Sequence, residues 1–167
     1  METLQTFEQS QAPGGAHALL AQLVGEWEGV TRTWFEPDKL ADESMWRASI
    51  QPLLDGRFVL YEYTGMLVGE ALHGYCIIGY NLVREQFEAA WIDQVHMGTG
   101  MMFSVGQKTE KGFSVLGSYA VGQGNPDWGW RTEVLLDGEN LLVTAYNISP
   151  EGQEARGVET RYQRISG

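Results

Sequence analysis

Asp93 stands where a carboxylate is least at ease. In the segment 86–95, Glu88 and Gln94 mark a wet face, so strand alternation turns Phe87, Ala89, Trp91 and Asp93 to the other side. A carboxylate among apolar side chains costs several kcal/mol unless it is paired, hydrogen-bonded or protonated. The sequence offers it Arg131 beside Trp128 and Trp130, Arg47, the pair Tyr61 and Tyr63, and the histidines His73 and His96. With an arginine or a tyrosine, Asp93 would brace the interior or anchor a ligand. With a histidine it would suit general acid or base work, although no spacing in the chain singles out such a pair.

The three histidines are scattered. His73 shares a strand face with Tyr75 and Ile77, pointing inward in one register and outward in the other. His96 precedes Gly98-Thr99-Gly100, and His17 is expected on the exposed start of a helix. Without H-x-H or H-x-x-x-H spacing, and with Cys76 as the single cysteine, neither a metal site nor a disulfide is expected. Met97, Met101 and Met102 read as adaptable apolar lining. A serine nucleophile elbow, a phosphate-cradling loop and a dinucleotide fingerprint are all missing, and Gly98-Thr99-Gly100 reads as a turn or bulge between antiparallel strands. No cofactor is expected.

The elements that must position these residues are short and extended. Residues 1–15 are polar, end in Pro13-Gly14-Gly15, and are expected to form a flexible arm. From Ala16 to Val24 the spacing of Leu19, Leu20, Leu23 and Val24 predicts one helix, stopped by Gly25. Beyond it the period drops to two, with β-branched and aromatic residues between Gly, Asn, Asp and Pro clusters. Strands are predicted near 26–35, 43–52, 56–65, 69–80, 86–95, 100–107, 112–121, 128–136, 140–148 and 156–164. No helix long enough for a parallel crossover interrupts them. Residues 16–167 are therefore expected to form one all-β domain, a closed antiparallel up-and-down barrel that leaves no bare edge.

Gly25-Glu26-Trp27, a G-x-W at the start of the first strand after a short helix, resembles the signature of lipocalin-like (calycin) barrels. Such barrels set a last-strand arginine against that tryptophan, and Arg161 or Arg164 is placed for it. Asp55-Gly56-Arg57-Phe58, the stretch from Gly74 to Gly79-Tyr80-Asn81, Trp91-Ile92-Asp93 and Met97-Gly98-Thr99-Gly100-Met101-Met102 together extend the likeness. Over residues 20–165 the chain resembles an uncharacterised, mainly bacterial, lipocalin-like family known only as a domain of unknown function. The resemblance implies the barrel and a single-domain protein, cytosolic or occasionally exported, and brings no substrate, cofactor or catalytic residue. Haem held by a late-strand histidine, known in some barrels of this architecture, has no counterpart, because no histidine lies beyond His96.

Charge and composition narrow the partners. Eleven Lys and Arg against 22 Asp and Glu give a net charge of -11, which repels nucleic acid and anionic lipid surfaces. No segment ahead of Met45 has the charged start and apolar run of a secretory signal, and no apolar run is long enough to span a membrane, so a cytoplasmic location is expected. Six Trp, seven Tyr and six Phe suit either a filled core or a lined pocket. The leading expectation is a small apolar or amphiphilic ligand inside the barrel, with Tyr61, Tyr63, His73, Trp91, Asp93 and Arg131 as its contacts. The rivals are an enzyme using Asp93 with His73 or His96, and a filled barrel acting as a homodimer or partner-binding protein through exposed Trp34 or Trp46.

Overall fold

The structure is a computed structural model and describes residues 3–166. Two short helices, α1 (Phe7–Ser10) and α2 (Ala16–Leu23), precede ten strands. The strands are β1 (Gly25–Glu36), β2 (Lys39–Leu53), β3 (Phe58–Leu67), β4 (Glu70–Asn81), β5 (Gln86–Asp93), β6 (Met102–Lys108), β7 (Gly112–Tyr119), β8 (Trp128–Asp137), β9 (Asn140–Ile148) and β10 (Glu154–Ser166). Each pairs antiparallel with its neighbour in sequence, and β1 pairs with β10 to close the ring. The predicted up-and-down barrel is present with all ten strands. No helix among the described residues is long and apolar enough to cross a membrane.

Strand parity decides what lies inside. Along β1, Trp27, Thr31 and Thr33 are buried with Gly29 between them; along β3 it is Val59, Tyr61 and Tyr63; along β5 it is Phe87, Ala89 and Asp93. Trp27 is fully buried at the helix end of the barrel, the base. Its Nε1 donates to the Leu23 carbonyl at 3.0 Å, and the Arg164 guanidinium lies 4.3 Å above its ring. Arg164 is thus the basic partner on the last strand, while Arg161 turns to Glu159 instead. Leu20 and Leu23 of α2, with Phe87 stacked on Phe113 at 4.5 Å, fill this base.

The segment expected as a flexible arm carries the unexpected helix α1. Its signal is a capping box: Thr6 Oγ1 accepts from the Gln9 N–H and Gln9 Oε1 accepts from the Thr6 N–H. Phe7 sits edge-on to His17 and under Arg57, and Lys108 donates to the Gly14 carbonyl at 2.6 Å, so the segment is tied to the base. His17 was expected at an exposed position. It is instead buried beneath α1, with its Nδ1 2.8 Å from Ser10 Oγ and its ring edge-on to Tyr80.

Burial lowers the His17 pKa from its ordinary 6.5 and outweighs the opposing hydrogen bond with the Arg57 backbone, with the Arg57 charge adding a smaller lowering. The folded protein therefore prefers the neutral ring. As pH falls through 6.5, the unfolded chain takes up the proton first and stability drops. Denaturant midpoints across this range should fall with acid, and His17→Gln should flatten the dependence. An unchanged slope in the variant would remove His17 as its source.

Candidate functional site

The opposite end of the barrel, the mouth, is built differently. It is where β1, β3, β5, β7 and β9 finish, and it holds a cavity of about 220 Å³. The walls are aromatic and apolar: Trp34, Trp46, Tyr61, Tyr63, Trp91, Tyr119 and Trp130, with Met97, Met102, Val143 and Ala145. Trp34 reaches the mouth beside its neighbour Thr33 because the β1–β2 register shifts between them.

Close packing at two glycines seats the inner rings. Trp46 and Tyr63 stack with centroids 5.4 Å apart and planes 2° from parallel. A Cβ at Gly65 would lie 2.2 Å from the Trp46 ring, and one at Gly74 would lie 2.2 Å from the Tyr63 hydroxyl and 2.7 Å from the Asp93 Cβ. Gly74→Ala therefore should push Tyr63 from Asp93 and cost about 1–3 kcal/mol in urea unfolding. A neutral result would mean that the ring yields freely.

Asp93 ends β5 with its side chain wholly buried, and five donors converge on it. Oδ2 accepts from the Tyr63 hydroxyl at 2.8 Å and pairs with His96 Nδ1 at 2.6 Å. Oδ1 accepts from the backbone N–H groups of Val95 at 3.0 Å, His96, and Met97 at 3.1 Å. Tyr63 in turn accepts from Trp91 Nε1 at 2.7 Å. Burial alone would push the Asp93 carboxyl up. The hydrogen bond and charge of His96, with the bonds from Tyr63 and Met97, outweigh it and hold the pKa down at about 2. Burial and the Asp93 charge raise the Tyr63 phenol far above its ordinary value, so it remains a donor.

An ionised carboxylate only accepts, so His96 presents its Nδ1–H to Asp93 and carries its lone pair, when neutral, on Nε2. That nitrogen has no protein partner among the described residues, and His96 lies on the cavity wall. Thr33 Oγ1, also on the wall, is a buried side-chain oxygen without a hydrogen-bond partner among the described residues. Deeper inside, the hydroxyls of Tyr61 and Tyr162 meet at 2.6 Å and those of Thr31 and Thr160 at 2.8 Å, so these are satisfied.

Of the residues expected at a site, Tyr61, Tyr63, Trp91 and Asp93 come together at the cavity. His73 and Arg131 do not. Leu72 and Cys76 hold the inward positions of β4, with Gly74 between them, so His73 faces outward and pairs with Glu62 Oε2 at 2.7 Å. Trp130 and Thr132 face the cavity, which turns Arg131 outward to Glu133 and Glu154 with its guanidinium 4.3 Å over Tyr146. Outward-facing, with Glu62, Glu133 and Glu154 as partners, these polar side chains cost far less than they would inside the barrel. Trp46, expected as an exposed contact, is buried, and Trp34 faces the cavity with Arg156 4.5 Å over its ring. His96 and Thr33 complete the site. Thr33 could have been found by stepping in twos from Trp27, and His96 by its spacing of three from Asp93, which is that of an aspartate-anchored turn. No cluster of three or more His, Cys, Asp or Glu side chains able to hold a metal occurs among the described residues.

A closed ten-strand barrel with an apolar core at one end and an aromatic cavity at the other defines the class of this protein. The chain belongs to the family described as "Protein of unknown function (DUF1579)", whose profile matches residues 12–164. A similar solved structure is that of Rv2717c from M. tuberculosis, at a TM-score of 0.64 and 14% identity over 92% of this chain and 98% of that one. At that identity the likeness is one of fold. No curated protein matches the chain.

Proposed function

We propose that this protein binds a small, neutral, mainly apolar molecule in the mouth of its barrel, in the manner of a lipocalin-like carrier. The observation that carries this reading is the cavity of about 220 Å³ with a buried Thr33 hydroxyl on its wall that has no partner among the described residues. An apolar cavity of about 150 Å³ holds one benzene ring, so this one suits a larger ring system or a short branched chain. Buried hydroxyls rarely stay unpaired, and a ligand oxygen or nitrogen would satisfy this one. Asp93 disfavours a carboxylate at the polar end, so neutral head groups are preferred over fatty-acid anions.

Extraction of purified protein followed by mass spectrometry, and titration of tryptophan fluorescence with aromatic alcohols, isoprenoid alcohols and fatty acids, tests the reading. Saturable binding of the neutral compounds is expected; a panel that leaves the fluorescence unchanged, with nothing extracted, overturns it. Thr33→Val supplies a sharper contrast. It removes an unsatisfied buried hydroxyl, so the ligand-free variant should be more stable by about 1 kcal/mol while its affinity for a hydroxyl-bearing ligand falls. Equal affinity in the variant would show that Thr33 is not a contact.

A further inference from the structure

We infer that His96 is a general base for proton transfer on the molecule held in the cavity, with Nε2 as the accepting atom and Asp93 as its positioning residue. The inference rests on the cavity being a binding site and adds a reaction to it. Three observations meet at His96. Its Nδ1 is 2.6 Å from a carboxylate that is wholly buried and fixed by the hydroxyl of Tyr63 and the backbone of the turn, so the ring has little freedom to reorient. The opposite nitrogen has no protein partner among the described residues, and the imidazole, 28% exposed, is on the cavity wall. The Trp130 ring lies 6.4 Å from it, and with Trp91 offers flat apolar surface against which a planar substrate can rest.

An aspartate that only anchored its turn would need the backbone N–H groups of Val95, His96 and Met97 and nothing more. Here the second oxygen is given to Tyr63 and to the histidine, and Tyr63 is itself held by Trp91. This arrangement fixes a tautomer and provides a negative charge beside the imidazolium that forms when Nε2 takes a proton. The substrate class follows: a neutral, planar, largely apolar molecule with an acidic C–H, N–H or O–H. Its proton passes to Nε2, the electron pair stays on the substrate or expels a leaving group, and the imidazolium returns the proton to water.

Ring opening of 5-nitrobenzisoxazole tests this with one proton transfer. Nε2 takes the C3 hydrogen, the electron pair forms the nitrile, the N–O bond breaks, and the coloured cyanonitrophenolate leaves. Binding is read separately from tryptophan quenching by the unreactive isostere 5-nitroindazole. Saturable turnover is expected in the parent. His96→Asn, which keeps an N–H for Asp93 and lacks Nε2, should lose about 100-fold or more in kcat while still binding the isostere saturably. Asp93→Asn should lower kcat without raising KM. Turnover by His96→Asn at the parent rate, or an isostere that binds beside a probe that is not turned over, overturns the inference and leaves the binding reading standing. An isostere that does not bind overturns the inference for this substrate class, and the binding reading then stands or falls with the alcohol panel and the extraction.

Discussion

Trp27→Ala should lower the unfolding free energy by about 3–5 kcal/mol, the range for truncating a buried aromatic side chain. More than cavity formation is involved. Trp27 is fully buried, and its Nε1 satisfies the Leu23 carbonyl at the C-terminal end of α2. Arg164, stacked on the indole, donates to the carbonyls of Gln22 at 2.8 Å and of Val24, and pairs with Glu139. A helix leaves its last carbonyls without internal partners. One indole and one guanidinium therefore cap α2, plug the base and fasten β10 to β1. Trp27→Phe keeps most of the apolar bulk and leaves the Leu23 carbonyl unpaired, so it should cost about 1–3 kcal/mol. Urea unfolding of both variants with far-ultraviolet dichroism measures the difference. Equal losses would mean that the Nε1 bond, absent from both variants, outweighs the apolar bulk; a negligible loss in Trp27→Phe would mean that the bond contributes little.

Asp93→Asn should destabilise the protein by about 3 kcal/mol near neutral pH, because it removes a buried charge around which every donor is arranged. The loss should shrink in acid. The Asp93 carboxyl titrates at about 2 in the folded protein against an ordinary 3.8, so its ionisation stabilises the fold above 3.8 and ceases to do so as pH falls through about 2. Between these values the unfolded chain holds more protons, which fixes the sign. The difference in pKa corresponds to about 2 kcal/mol. Denaturation of parent and variant at matched pH isolates Asp93 from Glu62 and Glu159, whose carboxyls are also lowered. Parallel curves at all pH values would rule out an ionised, stabilising Asp93.

Much of this architecture was legible in the residues. Period-two alternation with punctuated turns yields ten strands, and the G-x-W start leads to the Trp27–Arg164 contact. Stepping in twos from Phe87 places Trp91 and Asp93 at the cavity. His73, left open between two registers, and Arg131, both expected as ligand contacts, are turned outward by parity. Leu72 on one strand, and Trp130 with Thr132 on the other, already claim the inward positions. Trp46 shows the same lesson, since Ala48 and Ile50 fix its parity as inward. The burial of His17 was illegible for another reason: it depends on a four-residue helix whose signal is two polar side chains, Thr6 and Gln9.

All strand pairings but one join neighbours in sequence; the exception, β1 with β10, brings Arg164 to a carbonyl 140 residues earlier. Hairpins can therefore form between near neighbours, while barrel closure bears the largest loop-closure entropy and is expected to be the slowest pairing. A chain whose tenth strand has not yet docked would leave β1 and β9 each with an unpaired edge. That interval, rather than the finished barrel, is when the chain is most open to edge-to-edge aggregation.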